Sequence, residues 1–201
     1  MNYITRFCRS LVACGIVAGM LLAAPSLTQA AGYTYTSQEY GYTIECPVKP
    51  VGVIPLSSLS PQEKGDVLIF ANDGYNIKHA WVIMPDAFAE TSLPDLDAIS
   101  EADAKTLFTK LLATGYEFAS LVNVNGHNAL YAVTAKTILV DADKDGKPET
   151  KAEADSQEIK TFIRGKNQRY AVILLDNPTL LKEDIAAYQD GVLSFKEIVK
   201  K

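Results

Sequence analysis

The dipeptide Asn125-Gly126 constrains this chain more than any other pair of neighbours in it. A two-residue type I′ hairpin turn needs positive φ at both central positions, which asparagine and glycine tolerate and most residues resist. Leu121-Val122-Asn123-Val124 leads into the turn. Ala129 to Val140 leaves it with enough alternation to form one long strand of 12 residues, about twice the usual length. The cluster Asp141-Ala142-Asp143-Lys144-Asp145-Gly146 then turns the chain again, and Glu158 to Ile163 returns as partner to the long strand. The spacing therefore predicts two consecutive hairpins that share a middle strand.

The remaining segments supply strands around that unit and two helices. Tyr33, Tyr35, Tyr40, Tyr42, Ile44 and Cys46 alternate with polar residues and predict a strand with an aromatic face. Between Val48 and Gly65, Pro50, Pro55 and Pro61 with Ser57-Ser58 favour an irregular crossing, and Val51, Val53, Ile54, Leu56 and Leu59 are too apolar for a solvated linker. Asp66 to Ala71 and Ile77 to Met84 form a hairpin through Asn72-Asp73-Gly74. Ser100 with Asp103 three residues on opens a helix that carries Ala104, Leu107, Phe108, Leu111 and Leu112 on one face until Gly115. Arg164 to Asn167 turns the chain into a strand, Tyr170 to Leu175. Leu181, Ile185, Tyr188, Val192, Phe195 and Val199 then recur at helical steps, predicting a final helix that runs most of the way to the end despite Gly191. Hairpins in two groups, with a helix after each, predict an α+β domain: an antiparallel sheet of about six or seven strands with helices packed on it.

The first ten residues hold Arg6 and Arg9 and no acid, and an apolar run from Leu11 to Ala24 follows. That run is short for a bilayer span, and Pro25 ends it before the small-residue site Thr28-Gln29-Ala30, so residues 1–30 are expected to be a secretory signal cleaved after Ala30. An uncleaved anchor is the alternative. Leu11-Val12-Ala13-Cys14 has the look of a lipoprotein box but precedes most of the apolar run, so acylation of Cys14 is not expected. Cleavage leaves one domain, residues 31–201, with no membrane span. It takes the formal net charge from −5 to −7, which argues against nucleic acid or anionic lipid as a partner. Cys46 is the one cysteine after residue 30, so the domain holds no intrachain disulfide.

Tyr40-Gly41-Tyr42-Thr43-Ile44-Glu45-Cys46-Pro47, a helix, Val124-Asn125-Gly126-His127-Asn128-Ala129, the return through Tyr170-Ala171-Val172 and the closing Leu193-Ser194-Phe195 occur in an order that resembles the PsbP-like and DcrB-like group. The resemblance covers residues 40 to 198. It implies an α/β/α sandwich around an antiparallel sheet. The group includes an extrinsic photosystem subunit, bacterial envelope lipoproteins and a eukaryotic Ran-binding protein; most members act by binding, and they share no catalytic motif. This chain departs from the lipoproteins in lacking an expected lipid anchor, and nothing in it points to photosynthesis.

Asp141, Asp143, Asp145 and Gly146 match the first half of a calcium loop, with Glu149 in reach of its ninth position. Ala152 stands where the twelfth-position acid belongs, Glu153 comes one place late, and the flanks read as strands. The same residues suit a plain solvated turn. If they bind calcium, the incomplete ligand set implies a Kd of roughly 10⁻⁴ to 10⁻³ M. Calcium at tenfold that concentration then adds about 1.4 kcal/mol and raises the melting temperature by roughly 3 to 6 °C, a shift that Asp143→Ala abolishes. Equal melting in millimolar calcium and in chelator leaves a solvated hairpin tip.

Other candidates are fewer. His79 and His127 are the two histidines, too few for a three-histidine metal site, and neither has a partner suggested by spacing. Cys46 ends an apolar strand, where a thiol is more often inert than nucleophilic. Tyr33, Tyr35, Tyr40 and Tyr42 could form a flat platform for sugar or peptide or could simply supply core. Ser194 sits in no nucleophile elbow. No catalytic residue is assigned. The expectation is an exported, non-enzymatic binding or accessory protein of the cell envelope, acting on an envelope protein or ligand whose identity the residues withhold. The alternatives are a carboxylate-using envelope hydrolase and a structural calcium-dependent module.

Overall fold

In a computed structural model of the chain, the described residues are 32–71, 77–85, 93–140, 149–176 and 181–199, apart from the side chains of 136–156 and 176. Asn125 and Gly126 both take positive φ, 52° and 88°, and the Gly126 amide donates to Asn123 Oδ1 at 3.0 Å. The turn joins β6 (Tyr116–Val124) to β7 (His127–Val140), which pairs in turn with β8 (Glu149–Arg164). The two predicted hairpins around one long strand are present. The partner strand starts at Glu149, nine residues before Glu158, and the β7–β8 register shifts between Ala135 and Thr137. The turn residues between them, 141–148, lie outside the described ones.

β9 (Arg169–Asp176) extends this ladder, and β3 (Gly52–Pro55), β4 (Asp66–Ala71) and β5 (Ile77–Pro85) form a second one. The two join where β5 pairs antiparallel with β9, giving a seven-stranded sheet of order β3-β4-β5-β9-β8-β7-β6. β3 corrects the reading of residues 48–65 as irregular throughout. It is an edge strand, where Pro55 forfeits no ladder hydrogen bond to a further neighbour, and a single 3-10 turn, Leu56–Ser58, follows it.

The tyrosine-rich start is two strands, not one: β1 (Tyr33–Ser37) and β2 (Tyr42–Cys46) pair antiparallel around Gly41 at φ 68°. With β10 (Lys196–Glu197) they make a separate three-stranded sheet of order β1-β2-β10.

α1 (Glu101–Ala113) begins as its sequence predicts, with Ser100 Oγ accepting from the Asp103 amide at 3.1 Å. Its apolar stripe is narrower than expected: Ala104 is buried and Leu107, Phe108 and Leu111 half-buried, but Leu112 is 50% exposed. α2 (Lys182–Ser194) stops at Ser194 to release β10, so Val199 is exposed and not on a helical stripe.

The sheet carries cover on both faces. Tyr188 of α2 donates its hydroxyl to the Val172 carbonyl at 2.7 Å and lies 2.8 Å from Thr161 Oγ1. Tyr131 is the register partner of Thr161. Asn128 lies three residues before Tyr131, hence on the other face, and its side-chain Nδ2 donates to the carbonyl of buried Leu96, in the segment that leads into α1. The fold is thus the expected α+β sandwich. Its largest core joins the α2 side of the main sheet (Leu68, Trp81, Ile83, Val172, Leu174, Ile159) to Tyr42, Ile44 and Phe195. Gly191 of α2 lies between the two sheets: a Cβ there would meet Trp81 Cη2 and Cζ3 at 2.6 Å and the Glu45 carbonyl oxygen at 2.9 Å.

Candidate functional site

Most of the candidate chemistry faces inward. Cys46 is buried, and burial pushes its thiol up to about 12, so it stays a protonated core group at neutral pH. Tyr42 is fully buried, stacks on Phe195 with centroids 5.4 Å apart, and donates its hydroxyl to Asp66 Oδ2 at 2.7 Å. Burial raises the Tyr42 phenol, and the neighbouring Asp66 carboxylate adds to the shift. Tyr35 is pushed up to about 12 by the same two causes in the same order. The tyrosines therefore build the core between the sheets, with only Tyr33 exposed; they make no open platform. Ser194 Oγ donates to the Gly191 carbonyl at 2.6 Å and accepts from the Glu45 amide at 2.8 Å, tying α2 to β2.

His79 is buried and stacks on Phe70 at 4.8 Å. It has a partner that spacing did not show: Asp184, in the first turn of α2, places Oδ1 3.2 Å from His79 Nδ1 and 2.6 Å from Lys78 Nζ. A carboxylate this buried needs a counter-charge, which Lys78 supplies, and the cluster ties the start of α2 to β5. Asp141, Asp143 and Asp145 lie outside the described residues, and Glu149 opens β8 opposite Val140. Among the described residues no group of three or more His, Cys, Asp or Glu side chains is placed to hold a metal ion.

His127 belongs to a different setting. Its Nδ1 lies 2.8 Å from Asp97 Oδ2, and Asp97 Oδ1 accepts from the Asn128 amide at 2.6 Å. The Asn128 amide, then His127, hold the Asp97 carboxyl below the usual range. Two residues earlier, Asp95 meets Arg164 Nη1 at 2.5 Å. The Arg164 guanidinium, then the Asp97 amide, hold the Asp95 carboxyl low, and Asp95 in turn raises Arg164. These contacts pin residues 93–98 across the ends of β7 and β8. Beside them a notch opens, lined by Leu93, Pro94, Leu96, Phe162, Ile163, Arg164 and Arg169. Its chemistry is an apolar floor with two guanidinium groups at the rim, carried on rigid strands and one pinned loop. Of these residues only His127 was a candidate by sequence. The pairs are contacts about 30 residues apart or more (Asp97 with His127 and Asn128), beyond the reach of local spacing.

No protein-family model matches the chain, and no curated protein does. Among solved structures it is similar to the solution structure of cyanobacterial PsbP (CyanoP) from Synechocystis sp. PCC 6803. The two share 10% sequence identity at a TM-score of 0.47, over 88% of this chain and 98% of that one.

Proposed function

We propose that this chain is an exported binding or accessory protein of the cell envelope, without catalytic activity, and that it docks a partner protein at the notch beside residues 93–97. The observation that carries the reading is the notch itself: exposed charges fixed by ion pairs and backbone hydrogen bonds around an apolar floor, on loops held by a rigid sheet. Its enclosed volume is about 20 Å³, against roughly 300 to 1,000 Å³ for a small-molecule site. A space of that size holds about one water molecule, so it buries no metabolite and leaves contact at the surface with a macromolecule. The Asp95 and Asp97 carboxyls at this notch are both held low, the wrong direction for the general acid that a carboxylate-using hydrolase requires. Export, with removal of residues 1–30, is part of the same proposal and rests on the amino-terminal pattern of the sequence.

A photo-crosslinking amino acid placed at position 94, in the protein expressed in its native envelope, tests the reading. The expected result is a discrete adduct absent when the same probe replaces Leu112 on the exposed side of α1. No adduct at 94, or the same adducts from both positions, overturns it. The mass of the recovered protein reports whether the chain begins at Ala31.

A further inference from the structure

We infer that the notch accepts an acidic side chain of the partner, an aspartate or glutamate next to an apolar residue, with Arg169 as its anchor. The inference rests on the docking reading above and adds the chemistry of the group that docks.

Arg164 and Arg169 are direct register partners at the end of the β8–β9 hairpin, so their side chains leave the same face of the sheet. Like charges directly opposite destabilise a strand pair. Asp95 relieves half of that conflict by placing its carboxylate on Arg164. Arg169 lines the same notch, is exposed and makes no ion pair with a described acid. The notch therefore already shows how it takes a carboxylate, on one guanidinium, and leaves the second one open beside Leu93, Leu96 and Phe162. A guanidinium fork is the group that matches a carboxylate in geometry as well as charge. The formal charge of the whole chain is negative, so this rim is a local exception where an acidic group can land. The apolar floor asks for an apolar neighbour on the incoming segment.

The test uses two probes, acetyl-Leu-Glu-Leu-amide and acetyl-Leu-Gln-Leu-amide, titrated into the isotope-labelled protein and followed by amide chemical shifts. The glutamate peptide is expected to shift residues 93–97 and 163–170, and to bind roughly tenfold or more tightly than the glutamine peptide. Binding should weaken in 0.5 M salt. Arg169→Gln is expected to remove that preference with no loss of melting temperature, since Arg169 is exposed and its removal takes a like charge from opposite Arg164. Equal affinity for the two peptides, shifts elsewhere on the molecule, or an undiminished preference in Arg169→Gln overturns the inference. The crosslink at position 94 can survive any of these results, whereas its absence defeats the docking reading itself.

Discussion

Phe195→Ala is expected to lower the free energy of unfolding by about 3 to 5 kcal/mol, the range for truncating a buried aromatic side chain. Phe195 is 2% exposed, stacks on Tyr42 and meets the edge of Tyr170 at 4.8 Å. Its carbonyl also receives the Asn125 side chain from the β6–β7 turn. The alanine variant thus leaves a cavity where the small sheet, the main sheet and the end of α2 meet, and surrounding rings are too large to collapse into it. Urea unfolding measures the loss, with Leu112→Ala as the comparison, where exposure predicts a change within about 0.5 kcal/mol. A loss under about 1 kcal/mol at Phe195 would show that the small sheet is not packed as described.

Gly191→Ala sets two effects of opposite sign against each other. Helix propensity alone favours alanine by about 1 kcal/mol in the interior of α2. Packing opposes it: the new methyl would sit 2.6 Å from two carbons of the Trp81 indole and 2.9 Å from the Glu45 backbone oxygen. Overpacking of a close-fitted core costs about 1 to 3 kcal/mol, and a fully buried ring on one side with backbone on the other puts this site at the top of that range. The expected net loss is about 2 kcal/mol, or roughly 4 to 8 °C in Tm for a domain of this size. Combining it with Trp81→Phe, which withdraws the two clashing carbons, should make the glycine substitution less harmful than in the wild-type background. A more stable Gly191→Ala would show that the helix stands further from β5 than described.

The parts of the fold that sequence revealed are those written in neighbouring residues. Asn125-Gly126 can make few other turns, Ser100 with Asp103 caps a helix within one turn, and β4, β5 and β9 are short apolar runs with side chains buried on both faces of the sheet. The departures have physical causes of their own. The aromatic residues change from odd positions, Tyr33 and Tyr35, to even ones, Tyr40 and Tyr42, and that change of phase marks the turn at Gly41 which separates β1 from β2. Proline, which argues against a central strand, is compatible with an edge, and β3 is an edge. α2 keeps its apolar spacing through Phe195 although the helix has ended, because Phe195 remains in the core after the backbone has turned into β10. The site was less legible. His127 was visible as a residue, but Asp97, Asp95, Arg164 and Arg169 reach it or the adjoining notch only through the pairing of β6 to β9 and the path of residues 93–98. The same holds for Asp184 under His79.

β10 supplies the outer pairing of the small sheet, with Lys196 opposite Thr43 and Glu197 opposite Tyr42. The hydrogen bond from the Glu45 amide to Ser194 Oγ closes a loop of 149 residues, and the entropy of closing such a loop, about 4 kcal/mol before any constant term, falls due before these contacts return anything. Such pairings raise the contact order of the chain and slow its folding. A nascent chain can form the β6–β7 hairpin as soon as it emerges, yet it holds Tyr42, Ile44 and Cys46 without their cover until residues 194–197 have arrived. The aromatic seam between the two sheets therefore closes only once residues 194–197 are in place, and an incomplete molecule leaves it uncovered.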